Sequence, residues 1–130
     1  MKYIKKFPPN KKKKIARSLG RMSISTLPVL LDVLNCDEKN KISEVIDAIG
    51  FLVFYNQNCD TRKVFEAIVN TMSRYSDDKV IFWKCTLCLS AFNFQDSIDI
   101  LNRIIIDDNP ELIKSEAKRS LKLIRGNYGL

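Results

Sequence analysis

The chain has 130 residues, 45% of them apolar and 28% charged, which suits one domain with a buried core and argues against wholesale disorder. No apolar run approaches the roughly 18–20 uncharged residues of a membrane span. The net charge of +7 is unevenly spread, with +9 over residues 1–21, −5 over residues 22–110 and +3 over residues 111–130, so a mildly acidic body lies between basic ends.

The opening "MKYIKKFPPNKKKK" has the basic start of a signal peptide but no apolar stretch after it, which points to a cytoplasmic chain. In that reducing compartment Cys36, Cys59, Cys85 and Cys88 are expected as free thiols. Apolar residues recur at three- and four-residue spacing, and no stretch alternates as a strand would. Pro8-Pro9 opens a first helix to Gly20, and Ser25 caps a second that has Pro28 in its first turn and ends near Asn35. Asp37-Glu38 precedes a third helix to about Tyr55, and Asp60 caps a fourth reaching about Tyr75. Asp77 caps a fifth ending near Phe92, Asp96 opens a sixth, and Asn109-Pro110 opens a seventh ending at Gly126. The spacing predicts an all-α domain of seven helices over residues 1–130.

Laid over one another, the odd-numbered helices fall into register. Ile15, Val45, Cys85 and Ala117 coincide, as do Ser18, Ala48, Cys88 and Ser120, and then Leu19, Ile49, Leu89 and Leu121. The periods are 30, 40 and 32 residues, and Gly20 matches Gly50. Asp37, Asp77 and Asn109 each stand twelve residues before the leucine-like anchor, as expected N-caps. Among the even-numbered helices Leu30, Ile68 and Leu101 align, as do Leu34, Met72 and Ile105. A unit of two helices, with small residues on the first closing its approach to the second, resembles a HEAT repeat. The resemblance covers nearly the whole chain and implies an alpha-alpha superhelix of about 3.5 hairpins. The arginine and aspartate often found inside such repeats are not consistently present here, and the loop "NQNCD" is longer than the others.

"DDKVIFWKCTLCLSAF" holds the only tryptophan and a C-x-x-C pair. Cys85 and Cys88 occupy the small-residue positions of the repeat, where a thiol acts as a small apolar side chain. Zinc would need two further ligands, and the chain has no histidine. The expectation is packing, with no metal and no cofactor. Trp83 aligns with Lys13, Ser43 and Ser115, all polar, so the register turns the indole toward solvent; Phe82 aligns with Lys12, Ile42 and Lys114. An aromatic pair so placed is either repacked locally or an interface anchor.

The Lys11 to Lys14 cluster reads as a polar cap on the open end of a repeat stack, or as a contact for nucleic acid or anionic lipid. Acidic pairs recur at the turns, Asp37-Glu38, Asp77-Asp78 and Asp107-Asp108, and stacked repeats would align them along one edge. Glu66 and Asp99 share a register facing away from the apolar stripe, on the expected concave surface, with Asn70 and Arg103 one turn away. Such acids either are ordinary solvated faces or steer a basic partner. No Gly-rich phosphate loop, nucleophile elbow or histidine base is present in the sequence, which argues against an enzyme.

The resemblance therefore implies a non-enzymatic protein-binding solenoid. Small stand-alone members of this kind include immunity proteins that cover a toxin domain, and an acidic body suits a basic toxin such as a nuclease. The alternatives are a nucleic-acid-binding module using the Lys-rich start and a subunit of an enzyme complex, as in the HEAT-like bilin lyases. Leu112, Ile113, Leu121 and Ile124 on the last helix lack a following helix, so either the preceding unit or a second copy covers them.

Overall fold

The computed structural model of the protein describes residues 24–57 and 60–129. All regular structure among them is helical. A short 3-10 turn, Ile24–Thr26, leads into α1 (Leu27–Val33), with Pro28 in its first turn, where a missing N–H removes no helical bond. Then follow α2 (Lys39–Tyr55), α3 (Arg62–Arg74) and α4 (Lys79–Cys88). A second 3-10 turn, Leu89–Ala91, continues α4, and α5 (Gln95–Ile106) and α6 (Glu111–Tyr128) complete the series. These six helices answer to the expected second to seventh; the expected first, with Lys11 to Lys14, lies outside the described residues.

Helix ends differ from the expectation by one or a few residues. Asp78, not Asp77, caps α4, its carboxylate accepting from the backbone N–H groups of Val80 and Ile81 at 3.1 and 3.0 Å. Asn109 does not cap α6; its amide donates to the Ile104 carbonyl at 2.9 Å and Pro110 takes the cap position. Gly126 does not stop α6, which runs on to Tyr128. The stop is Gly129 at φ 70°, a left-handed conformation that costs glycine nothing, with its N–H on the Arg125 carbonyl.

Helices α2, α4 and α6 pack in a row, α4 in the middle. Each is also packed by the helix before it, α1 on α2, α3 on α4 and α5 on α6, and α1 touches α3. The helical pairs thus close one helix earlier than the register suggested, across the turns at 34–38, 75–78 and 107–110. Of the small-residue positions, Ala48, Cys85, Cys88, Ala117 and Ser120 are buried and Val45 is half-buried; the anchors Ile49, Leu89 and Leu121 are buried. Ser120 Oγ donates to the Thr86 carbonyl at 3.4 Å, which small side chains at the α4–α6 seam allow. The 3-10 turn after α4 touches α2, α5 and α6, and the Ala91 carbonyl accepts from both Gln57 Nε2 and the Tyr128 hydroxyl at 3.0 Å.

Candidate binding groove

Between α3 and α5 lies an open groove of about 430 Å³, lined by Arg62, Phe65, Glu66, Val69, Asn70, Asp96, Asp99 and Ile100. Its geometry follows from two helical faces. Arg62, Glu66 and Asn70 stand one turn apart on α3, and Asp99 and Ile100 stand three and four residues after Asp96 on α5. Phe65 is buried and Val69 and Ile100 are half-buried, so apolar surface lies beneath polar rims.

The end of the groove at the starts of α3 and α5 is tied by charge. Arg62 reaches Asp96 at 2.6 Å, and its guanidinium lies 5.3 Å from the Phe65 ring centroid and 5.0 Å from that of Phe94. Phe65, Phe92 and Phe94 contact one another, with Phe65 edge-on to both partners. Farther along, Glu66 and Asn70 are exposed, and Asp99 accepts from Gln95 at 3.2 Å. Among the described residues neither Glu66 nor Asp99 has a basic partner within ion-pair distance. The groove therefore presents net negative charge over an apolar floor.

Three of the residues named from the sequence, Glu66, Asn70 and Asp99, come together here. Arg103 is exposed one turn farther along α5, outside the lining. Arg62, Phe65, Val69, Asp96 and Ile100 complete the site and were not singled out by the register. The signal was present: Arg62 stands four residues before Glu66, and Asp96 three before Asp99, which puts each on its neighbour's face.

The acidic turns lie elsewhere, beyond the C-terminal ends of α1, α3 and α5, whereas the groove occupies the N-terminal parts of α3 and α5. Asp77 and the pair Asp107 and Asp108 are exposed. Asp78 is tied to Lys39 at 3.4 Å, which brings the turns at 38 and 78 side by side. Arg74 binds the Leu34 and Cys36 carbonyls at 3.0 and 3.1 Å and Asp37 at 3.4 Å. That edge is accordingly less negative than the sequence suggests.

The register turned Trp83 outward, but in the structure the indole, like the Phe82 ring beside it, is only partly open to solvent. Both are half-buried and packed against the core. Helix α4 is flanked by α2, α3 and α6, so little of its surface is left open, and the polar residues at equivalent positions of α2 and α6 are a poor guide to it. The Trp83 side chain lies near the carboxylate of Glu116 on α6 and favours its charged form.

Cys85 and Cys88 are buried free thiols on α4. Burial pushes Cys85 up to about 12 and Cys88 well above the ordinary thiol range, so neither offers a thiolate at neutral pH. Cys59 lies outside the described residues. Among the described residues no three metal-ligating side chains cluster, and no helix is long and apolar enough to cross a membrane. On α6, Ile113, Leu121 and Ile124 are covered by the chain itself, and Leu112 alone of that stripe remains 72% exposed.

No family model matches the chain, and neither a curated protein nor a solved structure matches it.

Proposed function

We propose that the protein is a non-enzymatic, HEAT-like binding solenoid whose task is to capture another protein, and that the captured protein is a toxin domain with a basic surface, such as a nuclease, which it neutralises. The observation that carries this reading is the groove itself: Glu66, Asn70 and Asp99, on helices 33 residues apart at Glu66 and Asp99, meet above an apolar floor. Exposed carboxylates around a partly apolar recess favour encounter with a cationic protein surface and then offer area to bury. The repeated register of small residues and anchors, and the row α2–α4–α6 with a helix on each member, support the solenoid part of the reading.

The test is to identify the open reading frame beside this chain's gene, to produce any toxin-like domain that it encodes, and to measure binding and suppression of its toxicity by the chain. One-to-one binding and protection are expected. An active domain that this chain neither binds nor restrains counts against the toxin-neutralising role.

A second reading is favoured by one feature, the +9 charge of residues 1–21. In it the Lys-rich start binds RNA or DNA through phosphate contacts. Salt-sensitive retention of nucleic acid, abolished by replacing Lys11 to Lys14 with Gln, would support it.

A further inference from the structure

The geometry points to an arginine-bearing segment of a partner protein as the occupant of the α3–α5 groove, one guanidinium held between Glu66 and Asp99 with its methylene stem laid along Phe65, Val69 and Ile100. This deepens the protein-binding reading and rests on it. The chain supplies its own example of the recognition mode. Arg62 lies over the Phe65 and Phe94 rings and pairs with Asp96 at 2.6 Å. One helical turn along, the same combination is repeated without a base: Glu66 follows Arg62 by four residues, Asp99 follows Asp96 by three, and Val69 and Ile100 continue the apolar surface.

Charge complementarity selects the occupant. The lining holds three carboxylates and one guanidinium, and Arg62 answers Asp96, which leaves Glu66 and Asp99 as the uncompensated pair among the described residues. A phosphate-rich polymer or an acidic peptide would be repelled there. Between the two basic side chains, arginine fits better than lysine. Its flat, weakly hydrated fork can bridge two carboxylates while its faces and stem lie on apolar surface. Asn70, at the far end of the groove, adds an amide able to bond the backbone of an incoming segment.

The experiment uses the full chain and a synthetic amphipathic peptide of about sixteen residues with arginines spaced one turn apart. Controls carry citrulline, the neutral isostere, or glutamate in place of each arginine. Dissociation constants come from calorimetry, and backbone amide shifts locate the contact. Binding is expected for the arginine peptide, with shifts on α3 and α5. A loss of tenfold or more is expected for the citrulline peptide, and for the Glu66→Gln/Asp99→Asn double variant, whose changes fall on exposed side chains. Equal binding of the citrulline peptide, unaltered binding by the double variant, or shifts confined to other helices would overturn the proposal. Binding that shows only after Lys11 to Lys14 are replaced by Gln would give the groove to the chain's own basic segment, and would overturn it too. The two levels of the reading separate cleanly. A toxin domain bound equally by wild type and double variant sinks the groove assignment alone, whereas arginine-peptide binding with no toxin recognised sinks only the toxin-neutralising role.

Discussion

Lys84 on α4 and Asp47 on α2 form an ion pair across the seam between the two helices, Nζ to Oδ2 at 2.7 Å, with the lysine 8% exposed. The ammonium also lies 3.5 Å from the Ser43 carbonyl. Removing one member of a pair buried in this way leaves the other charge poorly solvated, and that loss exceeds the net worth of the pair. Asp47→Ala is expected to cost about 3 kcal/mol. Lys84→Met, which deletes the buried charge and keeps the stem, is expected to cost clearly less. Urea denaturation of both variants checks the order; equal losses would show that charge burial is not what the seam depends on.

The cap of α4 gives a sharp contrast between adjacent aspartates. Asp78→Ala should cost about 1 kcal/mol, and Asp77→Ala, at an exposed position, less than about 0.5. The Ile81 backbone N–H, helped by Lys39 nearby, holds the Asp78 carboxyl below its ordinary range. A depressed value means that the contribution is present above the unfolded carboxyl pKa of about 3.9 and is lost as the pH falls through the folded value. The stability gap between wild type and Asp78→Ala should therefore close in acid. Denaturation midpoints at neutral pH and below about pH 4 test this.

Glu116 behaves in the opposite sense. It is 5% exposed, its Oε2 has no hydrogen-bond partner among the described residues, and burial raises its pKa although Arg119 and Trp83 act against that. With the folded value above the unfolded one, the native state binds more protons between the two, so stability falls as the pH rises through that window. Glu116→Gln is expected to be neutral or stabilising by up to about 1 kcal/mol at pH 7 and to lose that advantage below the window. A variant destabilised at neutral pH would mean that the charged form is held by more than the Trp83 contact.

Trp83 is half-buried against the core, near the Glu116 carboxylate. Because its burial is partial, Trp83→Ala should cost about 2 kcal/mol, less than full burial would imply. As the only tryptophan it reports on itself: its emission should lie between those of a sealed and a solvated indole and shift red on unfolding. A Trp83→Ala protein as stable as wild type would return the indole to the interface role.

Alkylation separates the thiols. Cys36 is half-buried, whereas Cys85 and Cys88 are buried with strongly raised pKa values. Mass spectrometry after brief iodoacetamide treatment of the native protein should find Cys36 modified well before either residue of the C-x-x-C pair. Early modification of Cys85 or Cys88 would show that α4 opens on that timescale.

What the sequence alone determined is local and periodic. Six of the seven expected helices fall among the described residues and all six form, because turn residues and a 3.6-residue apolar rhythm act within one helix at a time. The same rhythm identified Ala48, Cys85, Cys88, Ala117 and Ser120 as interior, and placed Glu66 and Asp99 on faces that do meet in one groove. Only the tertiary structure decided how many neighbours cover each helix. Glu44, Lys84 and Glu116 share one register position, yet the first is exposed and the other two are buried, because α4 and α6 each pack against the preceding member of the row. Trp83 is partly covered for the same reason, and Arg62 meets Asp96 across 34 residues of chain. A helical face carries its own polarity in its residues, but the surface it will press against belongs to another segment, and no local pattern encodes that.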